Sequence, residues 1–154
     1  MVTEKTQLFS LFDPEKLYLR GQYGEQVSAD SLLGKVICLL FGAGWSPPFL
    51  QFLTVFKRFY SELEQEDAPL QVIYVSFDRT SEEMRDLARN FPVGWLSLPH
   101  SSKLINYLKL RYGVVVIPRL IVVTDCGQLI TNRGVKEVKR RTKRCFTDWY
   151  NAAK

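Results

Sequence analysis

Few side chains in this sequence could do covalent chemistry, and they are scattered. Cys38, Cys126 and Cys145 stand far apart in the 154 residues, and His100 is the single histidine. There is no C-x-x-C pair, so the chain offers neither a dithiol nor the ligand spacing of a zinc site. The position best placed for chemistry is Ser46, in Gly42-Ala43-Gly44-Trp45-Ser46-Pro47-Pro48-Phe49. A serine becomes a nucleophile only with a neighbouring base. None lies nearby in sequence, and His100, after Pro99, reads as a loop histidine with no evident partner. A few pK units of local stabilisation would not make an alkoxide at pH 7. Ser46 therefore reads as a plain helix cap. Cys38 falls in a long apolar run and reads as an inert buried thiol. Cys145 is expected to pack the last helix, and Cys126, at a hairpin tip, is the cysteine expected to be exposed.

The elements that position Ser46 are well marked. Val36-Ile37-Cys38-Leu39-Leu40-Phe41 is a continuous apolar run of strand length, suited to a strand covered on both faces. Gly42-Ala43-Gly44 makes a close turn. Ser46 is then a good N-cap, and Pro47 fits the first helical position. Phe49, Phe52, Leu53, Phe56, Phe59, Tyr60 and Leu63 recur at helical spacing, predicting an amphipathic helix that ends near Glu66 or Asp67. Leu70 to Ser76 is a second apolar strand, forming a βαβ unit with the first.

The rest of the chain is read in the same way. Residues 1–16 are an irregular lead-in, tacked to the body by Leu8, Phe9, Leu11 and Phe12. Lys16–Arg20 and Gln26–Ser28 are short strand candidates. Helices are predicted from Ser81 to about Asn90 and from Lys103 to about Arg111, with an extended segment Gly94–Pro99 between them. Gly113–Pro118 leads into Arg119–Val123, and Asp125–Gln128 turns the chain into Leu129–Thr131 as an antiparallel hairpin. Val135, Val138, Thr142, Cys145, Trp149 and Ala152 predict one helix or two short ones. No linker or repeat splits the chain, so one domain spanning 1–154 is expected.

Phe41-x-Ala43-x-Trp45-x-Pro47-Pro48-x-x-x-Phe52 resembles the F-x-A-x-W-C-P-P-C-x-x-F segment of tryparedoxins and nucleoredoxins. Trp95-Leu96-x-Leu98-Pro99 is similar to their W-L-A-L-P segment, and Tyr112-Gly113-Val114 with Ile117-Pro118 to their Y/F-x-V-x-x-I-P element. Ile130-Thr131-Asn132-x-Gly134, with Cys145-Phe146-x-Asp148-Trp149-x-x-Ala152-Ala153, most resembles nucleoredoxin-like protein 2, of the rod-derived cone viability factor type. The resemblance runs from about Lys35 to the end. It implies a thioredoxin-like α/β fold: a central mixed β-sheet with helices on both faces and a short N-terminal extension.

Ser46 and Phe49 stand where the family has its two redox cysteines. The resemblance thus implies a binding or signalling module without disulfide chemistry, related to proteins of photoreceptor or sensory-neuron maintenance. The alternative is a thiol–disulfide oxidoreductase using one remaining cysteine or residual family activity. Phenylalanine is an odd choice for a designed cysteine knock-out, which favours natural loss, although engineered loss or a divergent paralogue stays open. In the family the proline facing the motif is cis, and the residue before it pairs with a bound extended peptide. By that analogy Trp45, Ser46, Pro47, Pro48, Ile117 and Pro118 would form a groove for a strand-like peptide; an ordinary trans proline opening an edge strand is the bland alternative. Trp45 is expected beside the groove, partly exposed, rather than in the core. Phe49 reads as core, with lining the groove as the other choice.

The net charge of +5 is concentrated. Residues 133–144 hold seven Lys/Arg and one Glu, leaving −1 for the rest of the chain. Lys136, Lys139, Arg140, Lys143 and Arg144 are thus expected on a solvated helix face, or on a surface for acidic protein or anionic lipid. The run has no interleaved aromatics to stack bases, which disfavours nucleic acid. A composition 46% apolar and 13% aromatic is that of a folded globular chain. No apolar run approaches the roughly 18 residues that span a bilayer, so an integral membrane protein is not expected. Neither a metal nor a cofactor is expected, and the partner would be a protein or extended peptide. No secretory signal pattern opens the sequence and the cysteines are few, so a cytoplasmic location is expected, with unconventional secretion left open.

Overall fold

The computed structural model describes residues 19–154, apart from Gln22. The expectations for residues 1–18 lie outside the described residues. One seven-stranded sheet runs in the order β2-β1-β5-β4-β3-β6-β7. Its strands are β1 (Leu19–Arg20), β2 (Gln26–Val27), β3 (Val36–Gly42), β4 (Leu70–Ser76), β5 (Leu96–Ser97), β6 (Arg119–Val123) and β7 (Leu129–Thr131). β3 pairs parallel with β4 and antiparallel with β6, and β7 pairs antiparallel with β6. The sheet is therefore mixed. Every residue of β3 and β4 is buried, as expected for strands covered on both faces.

Alternation along the strands divides the core in two. Cys38 and Leu40 of β3, Val72 and Tyr74 of β4, and Leu120 and Val122 of β6 face one side. There they meet α1 (Pro47–Gln65), α2 (Ser81–Ala88), α4 (Gly134–Arg141) and α5 (Arg144–Ala152). Ile37, Leu39, Ile73, Val75 and Ile121 face the other side, against α3 (Leu104–Tyr112) and the short 3-10 turn Ala29–Leu32. Gly134 lets α4 lie close on β6, because a Cβ there would stand 2.6 Å from the Leu120 carbonyl oxygen.

The C-terminal apolar stripe belongs to two helices, not one. Thr142 separates α4 from α5 at φ 51° and ψ −141°, outside helical backbone. Its carbonyl oxygen accepts from Cys145 N–H, which starts the second helix.

Candidate functional site

β3 ends at Gly42 and hands the chain to the turn that carries Trp45 and Ser46. Ser46 is buried, and its Oγ accepts the Phe49 N–H at 3.3 Å. It is an N-cap with its hydroxyl turned to the helix backbone. Pro47 and Pro48 follow as exposed residues of the first helical turn.

Phe49 is wholly buried. Its ring packs on Tyr74, with centroids 6.0 Å apart, and lies directly over Gly42. A Cβ on Gly42 would fall 2.0 Å from the Phe49 ring, so the bulky side chain fits because residue 42 has none. The aromatic ring belongs to the core and does not line a groove.

A polar cluster fixes the turn from below. The Asp78 carboxylate is buried and accepts the Gly44 N–H at 2.7 Å through Oδ1. Its Oδ2 accepts from Ser76 Oγ at 2.6 Å and lies 2.7 Å from the Tyr74 hydroxyl, itself 2.9 Å from the Gly42 carbonyl oxygen. Burial, reinforced by the Asp78 charge, pushes the Tyr74 phenol far up, so it remains a neutral donor. His100 is a loop residue whose Nε2 lies 2.8 Å from the Asp78 carbonyl oxygen. Asp78 is the residue that sequence reasoning missed here. The available signal was an aspartate two residues after Ser76, at the mouth of a mostly apolar, fully buried strand.

Trp45 is held at the rim. Its indole N–H donates to the Phe77 carbonyl oxygen at 3.2 Å, and the Arg79 guanidinium lies 5.5 Å from its ring centroid. Even so, 48% of it is exposed. The β3–β6 register pairs Phe41 with Arg119. Pro118 is therefore one residue beyond Arg119, at the sheet end where β3 gives way to the Trp45 turn. The Ile117–Pro118 peptide bond is cis, both residues are half-buried, and Val115 and Val116 before them are largely exposed.

The five basic residues are exposed on α4, α5 and their junction. Lys143 pairs with Glu66 at 2.6 Å, while Lys136 and Lys139 line an open cleft of about 490 Å³ together with Arg119 and Arg133. Arg119 was also missed; its Nε is enclosed without an acceptor among the described residues. A charged residue directly after Pro118, inside an otherwise apolar run, was the signal for it.

All three cysteines are buried free thiols. For Cys126 this corrects the expectation of exposure: the hairpin tip folds inward, and its Sγ lies 3.0 Å from Thr124 Oγ1. Burial drives the Cys38 thiol well up, and burial followed by the Glu137 charge pushes Cys145 to about 12. Neither supplies a thiolate near neutral pH. Among the described residues no group of His, Cys, Asp and Glu could hold a metal ion, and no helix is long and apolar enough to cross a membrane.

A family model described as thioredoxin-like matches residues 34–129. Mouse nucleoredoxin-like protein 1 is 30% identical over 154 residues, covering 94% of this chain and 71% of the relative. The chain is a nucleoredoxin-like member of the thioredoxin-like family. Human nucleoredoxin-like protein 1 is 32% identical over 127 residues, which are 79% of this chain but only 60% of that protein. The structure of tryparedoxin from Trypanosoma brucei matches with a TM-score of 0.81 at 27% identity, covering 92% of this nucleoredoxin-like chain and 97% of the tryparedoxin.

Proposed function

We propose that this chain is a redox-inactive, nucleoredoxin-like binding module, one domain over 1–154, which holds an extended segment of a protein partner. The observation that carries the reading is the fate of the two motif positions. Phe49 fills the space over Gly42 and Ser46 turns its hydroxyl into the helix cap, so no reactive group faces outward. The apolar surface beside them is nevertheless kept. Trp45, Pro47, Pro48, Val115 and Val116 are exposed around Ile117–Pro118, and such surface usually marks an interaction site. A bound strand would gain main-chain hydrogen bonds from the 117 backbone and a flat contact from Trp45. The basic residues Lys136, Lys139, Arg140, Lys143 and Arg144 would draw in an acidic partner from a distance. A cytoplasmic location, kinship to the type 2 nucleoredoxin-like proteins and a role in photoreceptor or sensory-neuron maintenance belong to this proposal.

Capture of a partner from native tissue by the unaltered chain, followed by affinity measurements, tests it. Trp45→Ala is expected to weaken binding by about 1–3 kcal/mol, the range of an aromatic anchor, with little loss of stability because Trp45 sits at the rim. Charge reversal at Lys139, Arg140 and Lys143 is expected mainly to slow association, and less so at high salt. Binding that ignores Trp45 but collapses on charge reversal would move the working surface to α4 and α5.

A further inference from the structure

The guanidinium of Arg119 is poorly served by its surroundings. Its Nε is enclosed without an acceptor among the described residues, and its Nη2 donates to the Asn132 carbonyl oxygen at a long 3.4 Å. A buried donor left in this way calls for an explanation. Arg119 opens β6 directly after Pro118 and forms one wall of the open cleft of about 490 Å³. Arg133, Lys136 and Lys139 complete its cationic lining, and no carboxylate lines it. The side chains of these three hold no hydrogen bond or ion pair with any described residue. Glu137 is turned away, accepting the Trp149 indole N–H at 2.8 Å and the Thr131 hydroxyl at 3.3 Å. Glu66 and Asp148 are paired with Lys143 and Arg141, which do not line the cleft. Arg119 and the seven cations of residues 133–144, eight in all, against these three acids leave +5 around α4. The helix also starts without a side-chain cap, so the positive end of its dipole adds to that charge.

We propose that this cleft receives a phosphorylated side chain of the extended segment held at Ile117, an inference that rests on the peptide-binding reading above. A phosphoserine or phosphothreonine carries close to two negative charges and three strong acceptor oxygens. The Arg119 fork can give one phosphate two hydrogen bonds once it leaves Asn132. Lys136 and Lys139, three residues apart on one side of α4, can reach the remaining oxygen. A single carboxylate would leave most of these donors without an acceptor. An extended segment advances about 3.3 Å per residue, so a residue near the one paired at 117 comes within reach of the Arg119 side chain. That continuity favours a phosphopeptide over a flat anionic membrane. No aromatic ring lines the cleft for a base to stack on.

An array of short extended peptides tests the assignment, each made with serine, glutamate or phosphoserine at its centre. The strongest binders are then measured by fluorescence anisotropy on the whole chain at physiological salt. The phosphoserine form is expected to bind at least about tenfold more tightly than the serine form, through added charge-assisted bonds, and more tightly than the glutamate form. Arg119→Gln, and Lys136→Glu with Lys139→Glu on the exposed helix face, are each expected to remove that gain and leave the serine form unchanged. Arg140→Glu with Arg144→Glu alters the charge equally outside the cleft and is expected to keep most of the gain. Circular dichroism checks that every variant is folded. A gain absent from all peptides, or lost equally on reversal of Arg140 and Arg144, overturns the cleft. Trp45→Ala separates the two readings, and should weaken the serine and phosphoserine forms alike. Serine forms that bind through Trp45 with no gain from the phosphate leave the groove standing and overturn the present proposal. Phosphopeptides that need the cleft but ignore Trp45 overturn its link to the groove. Phosphatidylserine vesicles that bind more tightly than any phosphopeptide, and are released by the cleft variants, overturn the peptide assignment in favour of a membrane.

Discussion

Phe49 and Gly42 form a matched pair: one supplies a ring and the other the space it occupies. Gly42→Ala should therefore overpack the core and cost about 1–3 kcal/mol or more. Phe49→Ala should cost about 3–5 kcal/mol as a large-to-small core change. Combined, the two should cost less than their sum, since the new methyl no longer meets a ring. Urea unfolding of the two single variants and the double variant checks this, and strict additivity would show that the ring does not depend on the glycine. At this scale the sequence was informative where local pattern decides the outcome. Ser46 before Pro47 reads as a cap and Phe49 opens an apolar stripe, and both do what the pattern says. Cys126 was misread because a turn signal implies exposure, whereas its burial depends on how the tip packs beside Thr124. Asp78 and Arg119 were missed for a similar reason, since the Gly44 N–H that Asp78 accepts and the Asn132 carbonyl oxygen that Arg119 reaches lie on other segments.

The long elements were legible and the short ones only partly so. The helix predicted to end near Glu66 or Asp67 closes at Gln65, and the two apolar strands fall where their composition put them. β1, β2 and β5 are two residues each, too short for any periodicity to show. The break between α4 and α5 was ambiguous because apolar spacing continues across Thr142, a residue that carries no helix-stop signal. The packing of α5 on the sheet has a pH consequence. Burial raises the Cys38 and Tyr74 groups and brings Cys145 and Tyr60 each to about 12. In the unfolded chain these groups ionise nearer their ordinary values, so at alkaline pH the unfolded state binds fewer protons than the native one. Their stabilisation is thus complete below the ordinary thiol range and is lost as pH rises through the folded values. Each group should add a slope of about 1.4 kcal/mol per pH unit in that window. Unfolding free energies measured from about pH 9 to 11 should fall steeply, and Cys145→Ala should remove one such increment. An unchanged slope would mean that Cys145 is not shielded as its burial indicates.

For the molecule as a whole, the alternation of fully buried strands with amphipathic helices made the layered α/β architecture readable before any coordinates. Residue spacing alone could not place the 117–118 segment beside the 45–48 turn, because that juxtaposition arises from β6 pairing with β3. The resemblance supplied that placement. The same whole-molecule view bears on chemistry: the motif positions hold a cap and a core ring, and all three thiols are buried. Reduction of insulin disulfides in the presence of dithiothreitol is the most direct measurement of this account. The unaltered chain should give no more turnover than a variant with Cys38, Cys126 and Cys145 all replaced by alanine, provided both are folded. Clear turnover by the unaltered chain above that control would contradict the redox-inactive reading and show that one of the buried thiols reaches substrate.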